Sequence, residues 1–190
     1  MKVSFLNLPK VPQGLENQIV EVADKYETTD SQDGEAGYVN RVLPDNIQIE
    51  LNKIYRPYFN QRVYGIFNKM VNKNPQGNSQ VSPHCDRERL TSINYFIHTG
   101  GDDVRTCFFC ESRLDQSTIL TQGENAKAEQ LTFDFEFVFA EKQWHSYSVQ
   151  KYHSVQNISN TRLLFALVLE NNIDYNTFQS NYANLISYGI

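Results

Sequence analysis

The chain has 190 residues, 40% of them hydrophobic, and a formal net charge of −5 with no basic block. That length and apolar content suit one folded domain over 1–190 and exclude wholesale disorder, while the acidic balance argues against nucleic acid as the main partner, because backbone binding needs clustered Lys and Arg. No apolar run approaches the ~20 residues of a membrane span, Met1-Lys2-Val3-Ser4-Phe5 does not begin as a signal peptide does, and the odd set Cys85, Cys107 and Cys110 fits a reducing compartment, so a cytoplasmic location without a membrane partner is expected.

In chain order, Met1–Leu8 reads as a first strand or extended arm, broken by the segment from Pro9 to Gly14. Leu15–Tyr26 has helical spacing, with Leu15, Ile19, Val22 and Ala23 on one face. Glu27–Tyr38 is polar and reads as a loop. Pro44-Asp45-Asn46 opens a second helix, Ile47–Tyr55, with Pro57 near its end. Arg62–Met70 reads as a strand and Asn72–Gln80 as turn-rich. Arg89–Ile97 and Val104–Phe109 are strand-like, joined by the hairpin-type Thr99-Gly100-Gly101-Asp102-Asp103. Glu111–Gln130 is the longest stretch expected as loop. In Leu131–Ala140 the residues Leu131, Phe133, Phe135, Phe137 and Phe139 share one parity, the pattern of a half-buried strand. Trp144–Val149 and Tyr152–Val155 are short strands, Thr161–Glu170 a long apolar one, and Tyr175–Ser187 a closing helix. Helices first and many short strands after them predict a mainly β fold, a β-sandwich or barrel core of about 61–170 behind a helical part of about 1–60.

The chemistry centres on Val81-Ser82-Pro83-His84-Cys85-Asp86. In extended backbone, His84 and Asp86 fall on one face, because side chains alternate with period 2. A neutral imidazole beside a carboxylate supplies two ligands of the 2-His-1-carboxylate facial triad of non-haem Fe(II), which leaves positions open. By itself His-x-Asp is common, and a surface turn with a solvated Asp explains it as well. The third ligand is a histidine far along the chain. His153, at a strand end ahead of a long apolar strand, is preferred; His145, which follows Trp144, is the other candidate. His98, beside the Gly-Gly turn, reads as exposed or at the substrate mouth. Arg162 opens the run Leu163-Leu164-Phe165-Ala166-Leu167-Val168-Leu169; an Arg on a buried strand needs an anionic partner, a bidentate carboxylate being the natural one, although a strand-mouth pair with a surface acid is the plainer reading. Cys107-x-x-Cys110 carries no metal or redox site, since a strand sends the two sulfurs to opposite faces and no second ligand pair exists.

His84-x-Asp86, then His153 with Arg162 nine positions on, resembles the 2-oxoglutarate- and Fe(II)-dependent oxygenases, in particular the prolyl-hydroxylase-like branch and the small oxygenases of tailed phages. Thr91-Ser92-Ile93-Asn94-Tyr95-Phe96-Ile97 is similar to the family strand after His-x-Asp, and Gly100-Gly101 with Thr106 and Phe108 adds to the match, which spans about 64–170. The resemblance implies a double-stranded β-helix with His84, Asp86 and His153 as catalytic metal ligands. It also implies Arg162, Tyr95 and Thr106 at the far carboxylate of 2-oxoglutarate, Fe(II) with 2-oxoglutarate as co-substrate, and ascorbate as an accessory. For a phage-encoded chain the compartment becomes the host cytoplasm. The activity implied is hydroxylation or demethylation of an unidentified protein, peptide or small-molecule substrate, with peptidyl proline first, and specificity in the loops 27–38, 72–80 and 111–130. Asp86 argues against halogenation, because halogenating members lack that ligand. Two rival readings stand beside it: a cupin-type metalloenzyme that does not use 2-oxoglutarate, and a non-catalytic phage structural or binding module on the same fold.

Overall fold

The computed structural model describes residues 3–29, 35–86, 89–112 and 131–189. Two helices come early. Helix α1 (Gln13–Asp24) buries Leu15, Ile19 and Ala23, one residue per turn on a single stripe. Helix α2 (Asp45–Phe59) buries Ile47, Leu51, Tyr55 and Phe59 the same way, takes Pro57 into its last turn, and stops at Asn60 in the left-handed conformation.

The strands are β1 (Ser4–Leu6), β2 (Gly37–Val42), β3 (Val63–Val71), β4 (Ser79–His84), β5 (Thr91–Thr99), β6 (Arg105–Ser112), β7 (Phe133–Phe137), β8 (Trp144–Ser148), β9 (Lys151–Ile158), β10 (Arg162–Leu169) and β11 (Ile186–Gly189). They form a major sheet in the order β11-β1-β8-β5-β10-β3-β2 and a minor sheet in the order β4-β9-β6-β7. All neighbours within the sheets are antiparallel. From β3 onward the chain passes between the two sheets, the winding of a double-stranded β-helix.

The major sheet is buried on both faces. Its convex face carries the helices: Leu15, Ile19, Leu51, Tyr55, Phe67, Ile93, Tyr95, Trp144 and Phe165 belong to one apolar cluster. Its concave face meets the minor sheet through Phe96, Leu164, Ala166, Tyr147, Phe108 and Phe139. Helix α2 lies close on β3. Gln48 accepts from Gly65 N–H at 2.7 Å and donates to Gly65 O at 2.7 Å, and a Cβ at Gly65 would stand 2.3 Å from Leu51 Cδ1. A side chain at Gly65 would force the Leu51 and Leu43 side chains to repack.

Several expected boundaries shift. Helix α2 runs past Tyr55 to Phe59, and β2 and β4 take residues expected as loop. Strands β1, β2 and β11 add to the major sheet, so the barrel extends beyond 61–170. The closing helix over Tyr175–Ser187 is instead a short α3 (Tyr175–Asn181), capped by the Asp174 carboxylate at Asn176 and Thr177 N–H, then a 3-10 turn, then β11. Pairing with β1 satisfies the backbone of 186–189 better than continued helix, because β1 offers an open edge. Strand β7 edges the minor sheet. Phe135, Phe137 and Phe139 pack towards the interior, whereas Phe133 is exposed and touches Phe109 across a register shift in β6. Glu111 and Ser112 belong to β6; 30–34 and 113–130, within two of the expected loops, lie outside the described residues.

Candidate metal and anion site

His84 ends β4, and His153 faces it across the β4–β9 ladder, their rings 4.4 Å apart. Asp86 follows two residues after His84, its Oδ1 3.8 Å from His84 Nε2 and 4.0 Å from His153 Nε2. Among the described residues this is the one His/Cys/Asp/Glu group whose donor atoms all fall within 4.8 Å of one another.

Both imidazoles are oriented alike. His84 Nδ1 lies 2.9 Å from Ser82 O, and His153 Nδ1 lies 3.1 Å from Lys151 O. A carbonyl only accepts, so each Nδ1 carries the proton and each Nε2 turns a lone pair into the site, the arrangement metal-ligating histidines use. Burial, aided by His84 alongside, pulls the His153 pKa down to about 4 and keeps the ring neutral near pH 7. Burial alone would raise the Asp86 carboxyl, but Arg89, His153 and His84 outweigh it, so Asp86 stays ionised. Two neutral imidazoles and one carboxylate on one side of a point fit a divalent non-haem metal with open positions opposite.

Two outer contacts steady this set. Arg89 Nη2 donates to Asp86 Oδ2 at 2.5 Å. On the edge strand β4, Glu35 accepts from the Ser82 N–H at 3.1 Å and from the Ser82 hydroxyl, while Ala36 N–H donates to Gln80 O at 2.7 Å. The segment 35–36 thus covers the open edge of the strand that carries His84.

Arg162 opens β10 and is 2% exposed. Its Nη2 donates to Thr106 Oγ1 at 3.2 Å, its guanidinium lies over the Phe96 ring at 4.8 Å, and its Nε has no partner. Burial pulls its pKa down to about 10, so it remains a cation at pH 7. Among the described residues no carboxylate pairs with it. A shielded guanidinium bonded only to a hydroxyl and a ring is electrostatically unsatisfied, and an anion in the interior would satisfy it. The surface-acid pairing is therefore not what this Arg does.

Tyr95 does not take part. Arg162 and Phe96 line the concave face, and period 2 sends Tyr95 to the convex one. There its ring packs at a tilt against Trp144 and Phe165, and its hydroxyl donates to the buried Glu16 Oε1 at 2.7 Å. The phenol on the interior side is Tyr147. Its hydroxyl accepts from Asn94 Nδ2 at 2.9 Å, its ring lies 6.1 Å from His153, and burial raises its pKa while Arg162 opposes the rise. Tyr147, Arg89, Asn94 and Glu35 were not singled out from the sequence; the spacing of Tyr147 from His145 on one strand was the available sign.

His145 is no ligand. It points into a cage of Phe5, Phe96, Phe137 and Phe139, with neither ring nitrogen in a well-formed hydrogen bond, and burial pulls its pKa down to about 4. His98 is exposed near Glu141. Cys107 is buried and Cys110 exposed, on opposite faces of β6.

No protein-family model matches this chain, and no curated protein matches its sequence. Solved structures do. The non-heme alpha ketoglutarate dependent epimerase SnoN from nogalamycin biosynthesis is 13% identical, with 84% of this chain and 75% of that one covered at a TM-score of 0.51. AviO1 from Streptomyces viridochromogenes Tue57 is 11% identical, with 87% and 89% covered and a TM-score of 0.51. The non-heme alpha ketoglutarate dependent carbocyclase SnoK from nogalamycin biosynthesis is 9% identical, with 82% and 71% covered and a TM-score of 0.50. At these identities the likeness is one of fold.

Proposed function

We propose that the chain is a non-haem Fe(II) oxygenase that uses 2-oxoglutarate as co-substrate. The observation that carries the reading is the coexistence, inside one barrel, of an open His-Asp-His donor set and a buried guanidinium without an acid partner. A metalloenzyme that takes no dicarboxylate has no use for the second, and a binding module has no use for the first. Two of the fold's neighbours, SnoN and SnoK, are described as alpha ketoglutarate dependent, which fits.

His84, Asp86 and His153 would hold the metal, and Arg162 with Thr106 would hold the far carboxylate of the co-substrate. Arg162 offers a planar fork to that carboxylate. The Tyr147 hydroxyl would take the role first given to Tyr95, because it lies on the interior side with Arg162 and His153. Bound Fe(II) and 2-oxoglutarate supply the chemistry: with O2, oxoglutarate goes to succinate and CO2, and one oxygen atom passes to a substrate C–H bond. The chain's own work is to orient both imidazoles, leave positions open, and exclude water. Burial of His153, Tyr147 and Arg162 between the sheets does the last. Hydroxylation of a peptidyl proline is the first activity to assay.

The test is anaerobic titration with Fe(II) and 2-oxoglutarate. A visible metal-to-ligand charge-transfer band should appear only when both are present. A band absent from the wild-type protein, or one that forms with Fe(II) alone, defeats the reading. Mass spectrometry of candidate substrates for a 2-oxoglutarate-dependent gain of one oxygen then identifies the product.

A further inference from the structure

Asp86 uses its two oxygens differently. Oδ1 faces the imidazoles at 3.8 and 4.0 Å, while Oδ2 accepts from Arg89 Nη2 at 2.5 Å. Both side chains of this ion pair are only 17% exposed, so it is shielded rather than washed by solvent. The backbone around it is braced as well. Gln150 Nε2 donates to Arg89 O at 2.6 Å and to Asp86 O at 3.2 Å, and Asp86 N–H donates to Val149 O at 3.0 Å. Arg89 Nη1 also reaches Ser92 Oγ at 3.4 Å. Contacts from Gln150, Val149 and Ser92 together aim this guanidinium at one oxygen of one ligand.

A carboxylate binds a divalent metal through one oxygen or through both. With two imidazoles, one-oxygen ligation leaves three positions of an octahedron open, and two-oxygen ligation leaves two. A chelating 2-oxoacid takes two, so only the first arrangement retains a place for oxygen. We propose that Arg89 is a positioning residue that holds Asp86 to one-oxygen ligation and thereby keeps the third position open. This rests on the metal and 2-oxoglutarate reading above and deepens it. Occupied by a charge-assisted bond, Oδ2 cannot turn to the metal without leaving the Arg89 cation unpaired and largely desolvated. An apolar residue at position 89 removes that restraint.

The experiment uses the full chain loaded with Mn(II), with electron paramagnetic resonance in 17O-enriched water counting exchangeable metal-bound waters. The wild-type protein should show three waters, and one after 2-oxoglutarate is added. Arg89→Met should show two, and none after 2-oxoglutarate, with oxygen-dependent oxoglutarate turnover on Fe(II) down by about 10–100-fold, the usual effect of losing an outer contact to a ligand. Arg89→Lys keeps a charged donor without the fork and should count as the wild type does. Arg89→Leu, an apolar side chain of different shape, carries the same test if the methionine variant fails to fold. If Arg89→Met or Arg89→Leu matches the wild-type counts in both states, the inference is overturned and the metal reading stands. If wild-type protein takes up Mn(II) but loses no water to 2-oxoglutarate, or takes up no Mn(II), the function reading falls first and this one with it.

Discussion

Replacing Arg162 by methionine separates two energies that an ordinary ion-pair deletion confounds. In the protein alone the guanidinium has Thr106 Oγ1 at 3.2 Å and the Phe96 ring at 4.8 Å, and no acid among the described residues. Burial lowers its pKa from the ordinary guanidinium range to about 10, a penalty on the charged form of about 3 kcal/mol at 1.36 kcal/mol per unit. Arg is charged in both the folded and unfolded chain at pH 7, so the folded state carries that cost. The hydroxyl bond and ring contact return ~1–2 kcal/mol. Methionine fills similar space without charge, so Arg162→Met should leave stability without co-substrate within about 1 kcal/mol of wild type, or raise it. Breaking a genuine buried ion pair would instead cost ~3–5 kcal/mol. Binding should move the other way. Losing one side of a desolvated charge pair costs ~2–5 kcal/mol, so 2-oxoglutarate affinity should fall by about thirty-fold to several thousand-fold. Metal affinity should stay nearly constant, and Arg162→Lys should recover part of the loss. Urea unfolding gives the first quantity and calorimetry on the metal-loaded protein the second. A stability loss of 3 kcal/mol or more would show that Arg162 already has an acid partner. Unchanged oxoglutarate affinity would place the anion elsewhere.

Four further outcomes follow from the same geometry. Tyr147→Phe should weaken 2-oxoglutarate by ~1 kcal/mol, whereas Tyr95→Phe should leave it unchanged and cost ~1 kcal/mol of stability by removing the donor to Glu16 Oε1, whose other oxygen keeps Lys142 Nζ at 3.2 Å, both read by calorimetry and urea melts. Glu35→Ala should lower metal affinity by about 10-fold by releasing Ser82 and with it the carbonyl that orients His84, while Glu35→Gln, still an acceptor, should restore most of it. Gly100→Ala would put a Cβ 2.7 Å from Arg162 Cβ at a φ of +91°, so it should lower both stability and oxoglutarate affinity. For His145 the folded pKa is about 4 against an ordinary 6.5. The unfolded chain therefore takes the proton first: the stabilising contribution is full above pH ~6.5 and erodes by about 3 kcal/mol as pH falls towards 4. His145→Phe should flatten that stretch of the stability–pH curve, and an unchanged slope would show that His145 is not buried neutral.

The readable parts of the fold are those where one face meets water. Leu15, Ile19 and Ala23 repeat at helical spacing because the far side of α1 is solvated, and Phe135 and Phe137 alternate with exposed Asp134 and Glu136 because one face of β7 is solvated. Boundaries failed where tertiary contacts decide. The segment 186–189 has no strong strand pattern and becomes β11 only because β1 has an unpaired edge beside it. Likewise β2 emerges from a polar stretch because β3 offers a partner from Val71 to Ile66.

The same distinction explains the site. His84 and Asp86 were legible because a two-residue spacing fixes a shared face whatever surrounds it, and His153 because a long apolar strand follows it. Tyr95 misled because β5 is buried on both sides: from Thr91 to Ile97 every residue is buried, so no alternation of polar and apolar residues says which parity faces inward. Only the pairing of β5 with β8 and β10 reveals it. Asn94 stands opposite His145 and Ala166, residues of the concave face, and Tyr95 opposite Trp144 and Phe165, residues of the helix-side core. A phenol near Arg162 therefore had to come from the parity of Asn94 and Phe96, and Tyr147, hydrogen-bonded to Asn94, is the one that does. Arg89 and Glu35 were hidden for another reason. Each acts on a ligand through a bond, Arg89 directly on Asp86 and Glu35 from a distant segment through Ser82, and neither residue type carries a spacing that marks it in advance.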